Sequence, residues 1–333
     1  MSLKTDFSWL PVTTMSDGSE LRLPLHTLKG AHPGPTLGLT ALVHGDEALP
    51  SIAILRRVFE FIDPAQLSGT VMAVPVCNPL GAGANSRNTP LDGANMNAAF
   101  GEPPEDSTSI AVRSPSEMMA QVLKKQVLPQ FNYHIDFHCG DDGMSVNMIE
   151  FADEPGSTAM ARAFGMPLLL KDAFGAHQIW GASQQAGAHV IVAEVGGGGI
   201  LFDEWLARGV DGTLNVMRQM GMLPGDAPKP PRQIVVSNAE GHHRNLVLIR
   251  AGQGGVVMPE PAMNARAHFA GQPFTGMKLM GRMVNKYDLS VREVYETPFA
   301  RTMVLAAVVG PTWRALGDTL YIVADADLAE VWD

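Results

Sequence analysis

The sequence predicts an α/β protein with a mostly parallel, doubly wound sheet and a smaller all-β domain at the C-terminus. Short β-rich runs alternate with helical runs up to Gly221, and this alternation is typical of a parallel sheet with helices on both faces. A proline-rich segment follows at residues 223–232, after which only short β runs remain. We therefore predict a larger domain over residues 1–225 and a small β domain over residues 234–333.

The individual elements follow from the spacing of apolar residues. The predicted strands lie at residues 36–43, 70–76, 133–138 and 190–195, and the predicted helices at 51–61, 117–127 and 203–220. The helix at 51–61 places Ile52, Leu55 and Phe59 on one face. In the C-terminal part, β runs lie at residues 234–236, 246–249, 302–309 and 319–323. Residues 78–113 show no such period, and a long irregular loop in a compact domain is usually functional.

Composition and charge exclude several classes of protein. The chain has 333 residues, of which 46% are hydrophobic and 17% are charged, as in an ordinary globular protein. A formal net charge of −10 argues against a nucleic-acid partner or an anionic membrane, because those partners require clustered Lys and Arg. The N-terminus lacks the apolar core of a signal peptide, and no apolar run is long enough to span a bilayer. We expect a cytoplasmic protein, and a homo-oligomer is compatible with the sequence.

The first candidate site is the segment His44-Gly45-Asp46-Glu47, which directly follows the strand at 36–43. Ligands bind beyond the carboxyl ends of strands in open α/β sheets, and an imidazole and a carboxylate are suitable zinc ligands. The spacing alone is a weak motif, because a polar helix start with an acidic residue near the N-terminal dipole has the same pattern.

His138 strengthens this interpretation because it also ends a strand. Asp136 lies two residues earlier on the same side of that strand, where it can orient a ring nitrogen. His134 lies four residues before His138 in the same strand, and we expect it to have a structural role rather than to bind the metal. Two His and one Glu leave a fourth coordination place for water, as in catalytic zinc sites. This ligand set requires the imidazoles of His44 and His138 to lie within about 5 Å of each other.

A metal-activated water also needs a base, and Glu194 at the end of the strand 190–195 is the candidate. A carboxylate that closes an apolar strand is costly to bury unless it is used, and the four glycines after Val195 could let a substrate approach. A capping or salt-bridged glutamate is the alternative. Arg87, in the irregular loop, is either an oxyanion-stabilising group or an ordinary solvated charge.

Taken in order, these residues resemble the succinylglutamate desuccinylase/aspartoacylase family, which has the zinc carboxypeptidase-like fold. The resemblance rests on His-Gly-Asp-Glu, an Arg followed by Pro-Leu-Asp-Gly-x-Asn-x-Asn, then Asp-Phe-His, a strand ending in Glu-Val-Gly, and a small β domain. It implies one zinc ion per chain, bound by His44, Glu47 and His138. It also implies that the C-terminal domain flanks the active-site cleft.

The resemblance assigns roles to three further residues. Glu194 would be the general base and later the acid that protonates the leaving amine, and Arg87 would polarise the carbonyl. Asn97 would contact the substrate carboxylate. The branch that fits best acts on N-acyl amino acids.

One position departs from the family pattern. Directly after Asn97 the family usually has an Arg that binds the substrate carboxylate, and this chain has Ala98. Alanine cannot form the bidentate, charge-assisted contact that a guanidinium provides. Either another basic residue, such as Arg113 or Lys171, supplies the contact, or the substrate has no carboxylate there.

The predicted function is that of a zinc-dependent deacylase that cleaves the amide bond of a small N-acyl amine or N-acyl amino acid. A carboxypeptidase-like peptidase is the second hypothesis, which Ala98 disfavours. A non-catalytic small-molecule-binding relative is the third, which the complete set of ligands and base disfavours. We expect Tyr287 and Tyr295 to be packing residues. His242 and His243 are not counted as a metal site, because adjacent residues on a strand face opposite ways.

Overall fold

The computed structural model describes residues 3–101, 113–141, 143–172, 175–197, 199, 201–237, 245–263 and 273–333. Strands β1 to β18 span, in order, Asp6–Thr14, Glu20–Lys29, His32–Ala41, Ser68–Val74, Tyr133–His138, Met144–Phe151, Leu168–Lys171, His189–Gly197, Gln233–Ser237, Leu246–Arg250, Gly255–Pro259, Phe274–Thr275, Leu279–Val284, Val291–Glu296, Arg301–Val308, Thr312–Arg314, Thr319–Asp325 and Glu330–Trp332. Helices α1 to α6 span Ser51–Phe61, Pro79–Ala84, Pro115–Val122, Pro155–Phe164, Ile179–Gln185 and Asp203–Gln219.

The main sheet has 14 strands, and its centre is parallel. β4, β3, β5 and β8 lie side by side and run in the same direction. β6 is antiparallel to β8 and starts a second parallel group with β7 and β9. The doubly wound α/β fold is therefore confirmed. The sheet as a whole is mixed rather than mostly parallel, because the β1–β2 hairpin and several C-terminal strands extend it by antiparallel pairing.

Helices cover both faces of this sheet. α1, α4 and α6 contribute Ile54, Phe164 and Trp205 to one core, and α3 and α5 contribute Met119 and Trp180 to the core on the opposite face. Side chains of a strand alternate between faces. In β5 the apolar residues at 135 and 137 join the first core, so its three polar residues face the side of α3 and α5.

The C-terminal part contributes to two sheets. β14, β13, β11 and β16 form a separate antiparallel sheet in this order, within the part of the chain for which the sequence predicts a small β domain. The four β runs predicted there correspond to β9, β10, β15 and β17, which belong to the main sheet. β15, β17 and β10 instead continue the main sheet outward from β6. No helix within the described residues is long and apolar enough to cross a membrane.

Candidate metal centre and active site

The turn that carries His44 and Glu47 is formed by a sharp change of direction after β3. β3 ends at Ala41, and Leu42 has a left-handed backbone conformation with φ of 49°, which is rare for a bulky residue. Gly45 then passes so close to α2 that a Cβ atom would lie 2.0 Å from the carbonyl carbon of Gly81. Any side chain at position 45 would push the turn away from α2, so glycine fixes where the two flanking ligands lie.

His44, Glu47 and His138 converge at one point beyond the ends of β3 and β5. Their donor atoms all lie within 4.8 Å of one another, and all three residues are buried. The Nδ1 atoms of His44 and His138 are each 2.8 Å from one carboxylate oxygen of Glu47. The two imidazole ring centres are 4.9 Å apart. The structure therefore brings the three predicted ligands together, within the separation that a shared metal requires.

The hydrogen bonds around the two imidazoles indicate that a cation belongs between them and Glu47. The Nε2 of His44 lies 3.2 Å from Oδ1 of Asn95, and the Nε2 of His138 lies 2.9 Å from Oδ2 of Asp136. Because both partners are acceptors, each Nε2 carries the hydrogen. A neutral ring then points its Nδ1 lone pair at a Glu47 oxygen, and two acceptors at 2.8 Å repel each other unless a proton or a metal ion lies between them.

The ionisation of these groups agrees with a site that attracts positive charge. Burial alone would raise the pKa of Glu47, but the charges and hydrogen bonds of His44 and His138 outweigh it and lower that pKa. Burial would likewise lower the pKa of His138, but Asp136 and Glu47 raise it well above 6.5. Two buried carboxylates thus stabilise a cation at this point, and a divalent metal can take the place of the protons.

Asp136 is held in place by a residue that the sequence does not single out. Thr40 donates its hydroxyl hydrogen to Oδ1 of Asp136 at 2.5 Å and lies 2.7 Å from Nε2 of His134. Asp136 therefore orients His138 as predicted, and Thr40 orients Asp136. His134 is fully buried, and burial lowers its pKa to about 4. It is neutral and structural, as expected.

The two asparagines of the Asn-x-Asn segment have different contacts. Asn95 Oδ1 accepts the backbone N–H of Asn97 and faces His44, so this residue orients a metal ligand. Asn97 is buried, and its Oδ1 accepts the backbone N–H of Ile179 at the start of α5. This hydrogen bond uses one lone pair of Oδ1, so the second lone pair and the amide N–H groups of Asn97 remain for a ligand. Its substrate-binding role therefore stays a prediction, and Asn95 is a site residue that the sequence reasoning missed.

Glu194 lies beside the metal-binding set on the neighbouring strand. It is the register partner of His138 in the parallel β5–β8 pair, and one of its carboxylate oxygens is buried without a hydrogen-bond partner in the described structure. Burial and repulsion by Glu150 and Glu47 raise the pKa of Glu194 to about 8, although His138 opposes the shift. A carboxyl group with a pKa near neutrality can both accept and return a proton.

Arg87 reaches the same point from the irregular loop. Its Nη1 donates to Glu47 Oε1 at 2.9 Å, and 49% of its side chain is exposed. The guanidinium is thus placed at the mouth of the site, as the predicted role in polarising a carbonyl requires. The role of Arg87 as an oxyanion-stabilising group stays a prediction.

The glycines after Val195 serve a different purpose from the one expected. A Cβ atom on Gly196 would lie 2.2 Å from the Trp205 ring, and one on Gly197 would lie 2.3 Å from the carbonyl oxygen of Met144. These two glycines let the end of β8 pack closely against protein atoms. Substrate access is not needed to explain them.

A cleft of about 460 Å³ joins these groups to the C-terminal strands. The residues of the larger domain that line it include the three predicted ligands, Glu194 and Arg87. From the C-terminal part it is lined by Arg250, Arg314, Gly317, Asp318, Thr319 and Ile322. Residues of the C-terminal part thus contribute to the lining of this cleft.

The two tyrosines considered from the sequence do not line this cleft in the described structure. Tyr287 is 85% exposed, whereas Tyr295 is buried and donates to Glu293 at 2.5 Å. Neither is among the residues that line the cleft. His242 and His243 lie outside the described residues.

The fold and the converging donors define an α/β protein with a candidate metal centre at the carboxyl ends of its parallel strands. A model of the succinylglutamate desuccinylase/aspartoacylase catalytic domain matches residues 33–220, which is more than half of the chain. The chain belongs to this family. It is 26% identical to the N-alpha-acetyl-L-2,4-diaminobutyric acid deacetylase of Halomonas elongata, over 96% of this chain and 90% of that protein.

Solved structures show the same fold. The product-bound ectoine utilization protein EutE of Ruegeria pomeroyi superposes with a TM-score of 0.77 at 21% identity, covering 97% of this chain and 95% of that one. A succinylglutamate desuccinylase/aspartoacylase from Rhodobacter sphaeroides gives a TM-score of 0.74 at 22% identity, covering 99% and 96%.

Proposed function

We propose that the protein is a zinc-dependent deacylase that hydrolyses the amide bond of a small N-acyl amino acid or N-acyl amine. The observation that carries this proposal is the placement of Glu194. Its carboxyl group lines the same cleft as the three converging donors, and one of its oxygens has no partner within the described residues. A donor set with a neighbouring unengaged carboxyl group has the two parts that metal-assisted hydrolysis needs.

The donor set suits zinc. Two imidazole nitrogens and one carboxylate are a known catalytic zinc set, and His44, Glu47 and His138 would bind the ion. When bound, zinc would supply a Lewis acid that activates water and polarises the acyl carbonyl. Asp136 and Asn95 fix the two rings so that each Nδ1 faces the carboxylate of Glu47, where the ion would bind.

The remaining steps belong to side chains of the cleft. Glu194, in its ionised form, takes the proton from the attacking water and in its protonated form gives that proton to the leaving amine; a carboxyl group with a pKa near neutrality can change between the two forms. Arg87 donates to the carbonyl oxygen as negative charge develops there, since its guanidinium lies at the mouth of the site beside Glu47.

The relatives support an N-acyl amino acid as the substrate class. The Halomonas elongata protein, which aligns over 96% of this chain, is a deacetylase of N-alpha-acetyl-L-2,4-diaminobutyric acid. The cleft volume of about 460 Å³ fits a substrate of this size. A peptidase has no comparable support from the described residues.

The test combines metal analysis with a substrate panel. We expect about one zinc per chain, loss of activity on chelation, and recovery when zinc is returned. The panel contains N-acetyl amino acids, N-acetyl amines and dipeptides with a free C-terminal carboxylate. Faster hydrolysis of dipeptides would replace the proposal by a peptidase. Binding of the acyl compounds with no hydrolysis by the zinc-loaded protein would replace it by a non-catalytic binding protein.

A further inference from the structure

The cleft contains three guanidinium groups, and their partners differ. Arg87 donates to Glu47. Arg314 is buried and forms two hydrogen bonds of 2.9 Å with the carboxylate of Asp141. Arg250 is exposed to the cleft, and its hydrogen bond within the described structure runs from Nη1 to the backbone carbonyl of Gly317 at 3.1 Å. Of the three, Arg250 is therefore the one without a carboxylate partner in the part of the chain that is described.

The hydrogen bond to Gly317 sets the orientation of the Arg250 side chain. A guanidinium has five N–H donors, and the edge formed by Nε and Nη2 is one of those that bind a carboxylate through two parallel hydrogen bonds. Because Nη1 is the atom that contacts Gly317, this edge stays available. The contact thus fixes one end of the guanidinium and leaves a binding edge for an anion.

The backbone of Arg250 also belongs to the main sheet. Arg250 ends β10 and pairs with Thr319 of β17, and β17 is bonded through β15 to β6 of the main sheet. β6 in turn pairs with β8, and Met148 of β6 is the register partner of Glu194 of β8. A continuous set of strands therefore links the arginine to the catalytic carboxyl group. Binding groups on strands are positioned more precisely than groups on loops.

We infer that Arg250 binds the carboxylate of the substrate, in place of the arginine that the family usually has at the position of Ala98. This inference rests on the proposed function, because it names the substrate class of that same site. The side chain of Ala98 offers no donor, whereas Arg250 brings to the cleft a guanidinium that forms no ion pair with a carboxylate of the described residues.

The two basic residues considered from the sequence do not take this role. Lys171 lies 3.4 Å from Asp153 and 3.5 Å from Glu330, so its ammonium group is already paired. Arg113 is exposed just before α3. Neither residue is among those that line the cleft.

The carboxylate could belong to either half of an N-acyl compound. It is the α-carboxylate in an N-acetyl amino acid, and it is part of the acyl group in an N-succinyl amine. Both present the same planar anion to a guanidinium. The experiment therefore uses three substrates with the same scissile amide: an N-acetyl amino acid, the N-succinyl form of an uncharged amine, and the N-acetyl form of that amine, which has no carboxylate.

The test compares R250A with the wild-type enzyme on all three substrates. We expect the ratio of kcat/KM for a carboxylate substrate over the neutral one to fall at least about tenfold in R250A, because a charge-assisted pair is lost. R250K keeps the positive charge but lacks the planar guanidinium that donates two parallel hydrogen bonds. Its ratio should therefore lie between those of the wild-type enzyme and R250A. The substrate whose ratio falls identifies the half that carries the carboxylate. R292A, which removes an exposed arginine paired with Asp288, should leave the ratio unchanged.

A binding measurement separates this inference from the proposed function. In an E194Q background, calorimetric titration with the carboxylate substrates reports affinity without turnover, and adding R250A should weaken it by the same factor. If R250A lowers kcat/KM for all three substrates alike, or leaves the affinity of E194Q unchanged, Arg250 is not the carboxylate-binding residue. If the wild-type enzyme hydrolyses none of the three substrates but R250A still weakens binding in the E194Q background, the proposed hydrolysis fails while Arg250 retains its binding role.

Discussion

Arg314 and Asp141 join the small C-terminal sheet to the loop that follows His138, one of the three proposed metal ligands. Arg314 ends β16, and its two terminal nitrogens each donate to a different oxygen of Asp141 at 2.9 Å. Only 8% of the Arg314 side chain is exposed, against 36% for Asp141. Because Asp141 lies three residues after His138, this pair fixes one wall of the cleft relative to the metal centre.

Replacement of Asp141 by asparagine should destabilise the protein by about 2 kcal/mol, since the buried guanidinium of Arg314 then loses the negative charge of Asp141 at both of these hydrogen bonds. Urea denaturation at neutral pH measures the effect. The matched control is D327N, which removes the carboxylate of an exposed pair with Arg301 and should change the free energy of unfolding by less than about 1 kcal/mol. Equal effects of the two substitutions would contradict the structural role of the buried pair.

Asp136 and Thr40 should control metal affinity in a graded way. D136N removes the charge that supports His138 and should weaken zinc binding about 10- to 100-fold. T40V keeps the charge of Asp136 and removes only the hydroxyl group that contacts Asp136 and His134, so its effect on zinc binding should be smaller. Competition with a chromogenic chelator measures both, and D288N on the exposed surface is the control. A T40V effect as large as that of D136N would show that the hydroxyl does more than orient Asp136.

Glu194→Gln should keep the bound zinc and lose turnover by a factor of about 10² to 10⁴, because the amide cannot accept the proton of the attacking water. Elemental analysis and steady-state kinetics are measured on the same preparation. E204Q is the control, since Glu204 is an exposed glutamate of α6 that pairs with Arg208 and is not among the residues that line the cleft. A near-normal rate for E194Q would refute the assignment of the base.

Stability of the metal-free protein should depend on pH through Glu194. The pKa of Glu194 in the folded state is about 8, above its ordinary value of 4.5. The contribution of Glu194 to the free energy of unfolding is therefore fully present below pH 4.5, where the carboxyl group is protonated in both the folded and the unfolded state. This contribution is lost as the pH rises through 8, because the ionised form is then disfavoured by burial.

E194Q carries no such group, and metal-free E194Q should therefore gain stability relative to metal-free wild type between pH 5 and pH 9. Urea denaturation of chelator-treated samples at pH 5 and at pH 9 gives the difference in the free energy of unfolding between E194Q and wild type. A constant difference across this range would show that Glu194 titrates near its ordinary value.

Much of the central fold could be predicted because its elements have strong periodic patterns. α1 spans Ser51–Phe61 and β5 spans Tyr133–His138, as predicted, since each has regular apolar spacing and ends at a polar turn. The β1–β2 hairpin was not predicted. β1 is exposed along much of its length and lacks a buried apolar alternation, so only its pairing with β2 shows that it is a strand.

The candidate site could be predicted only where a residue lies at a strand end. His44, His138 and Glu194 carry that signal, and the structure brings them to one cleft. Thr40 and Arg250 do not, because their roles depend on contacts across the fold: Thr40 bonds Asp136, 96 residues away in sequence, and Arg250 reaches the cleft only through the pairing of β10 with β17. A single sequence contains no local pattern for such pairings.

The continuation of the main sheet into the C-terminal part limits how the chain can be divided. β15 pairs with β6, and β9 pairs with β7, so a fragment that stops near residue 225 would leave the open sides of β6 and β7 with unsatisfied amide and carbonyl groups. Exposed strand edges of this kind pair with strands of other chains and form intermolecular β-structure. We expect shortened versions of this enzyme to precipitate during expression rather than fold as soluble halves.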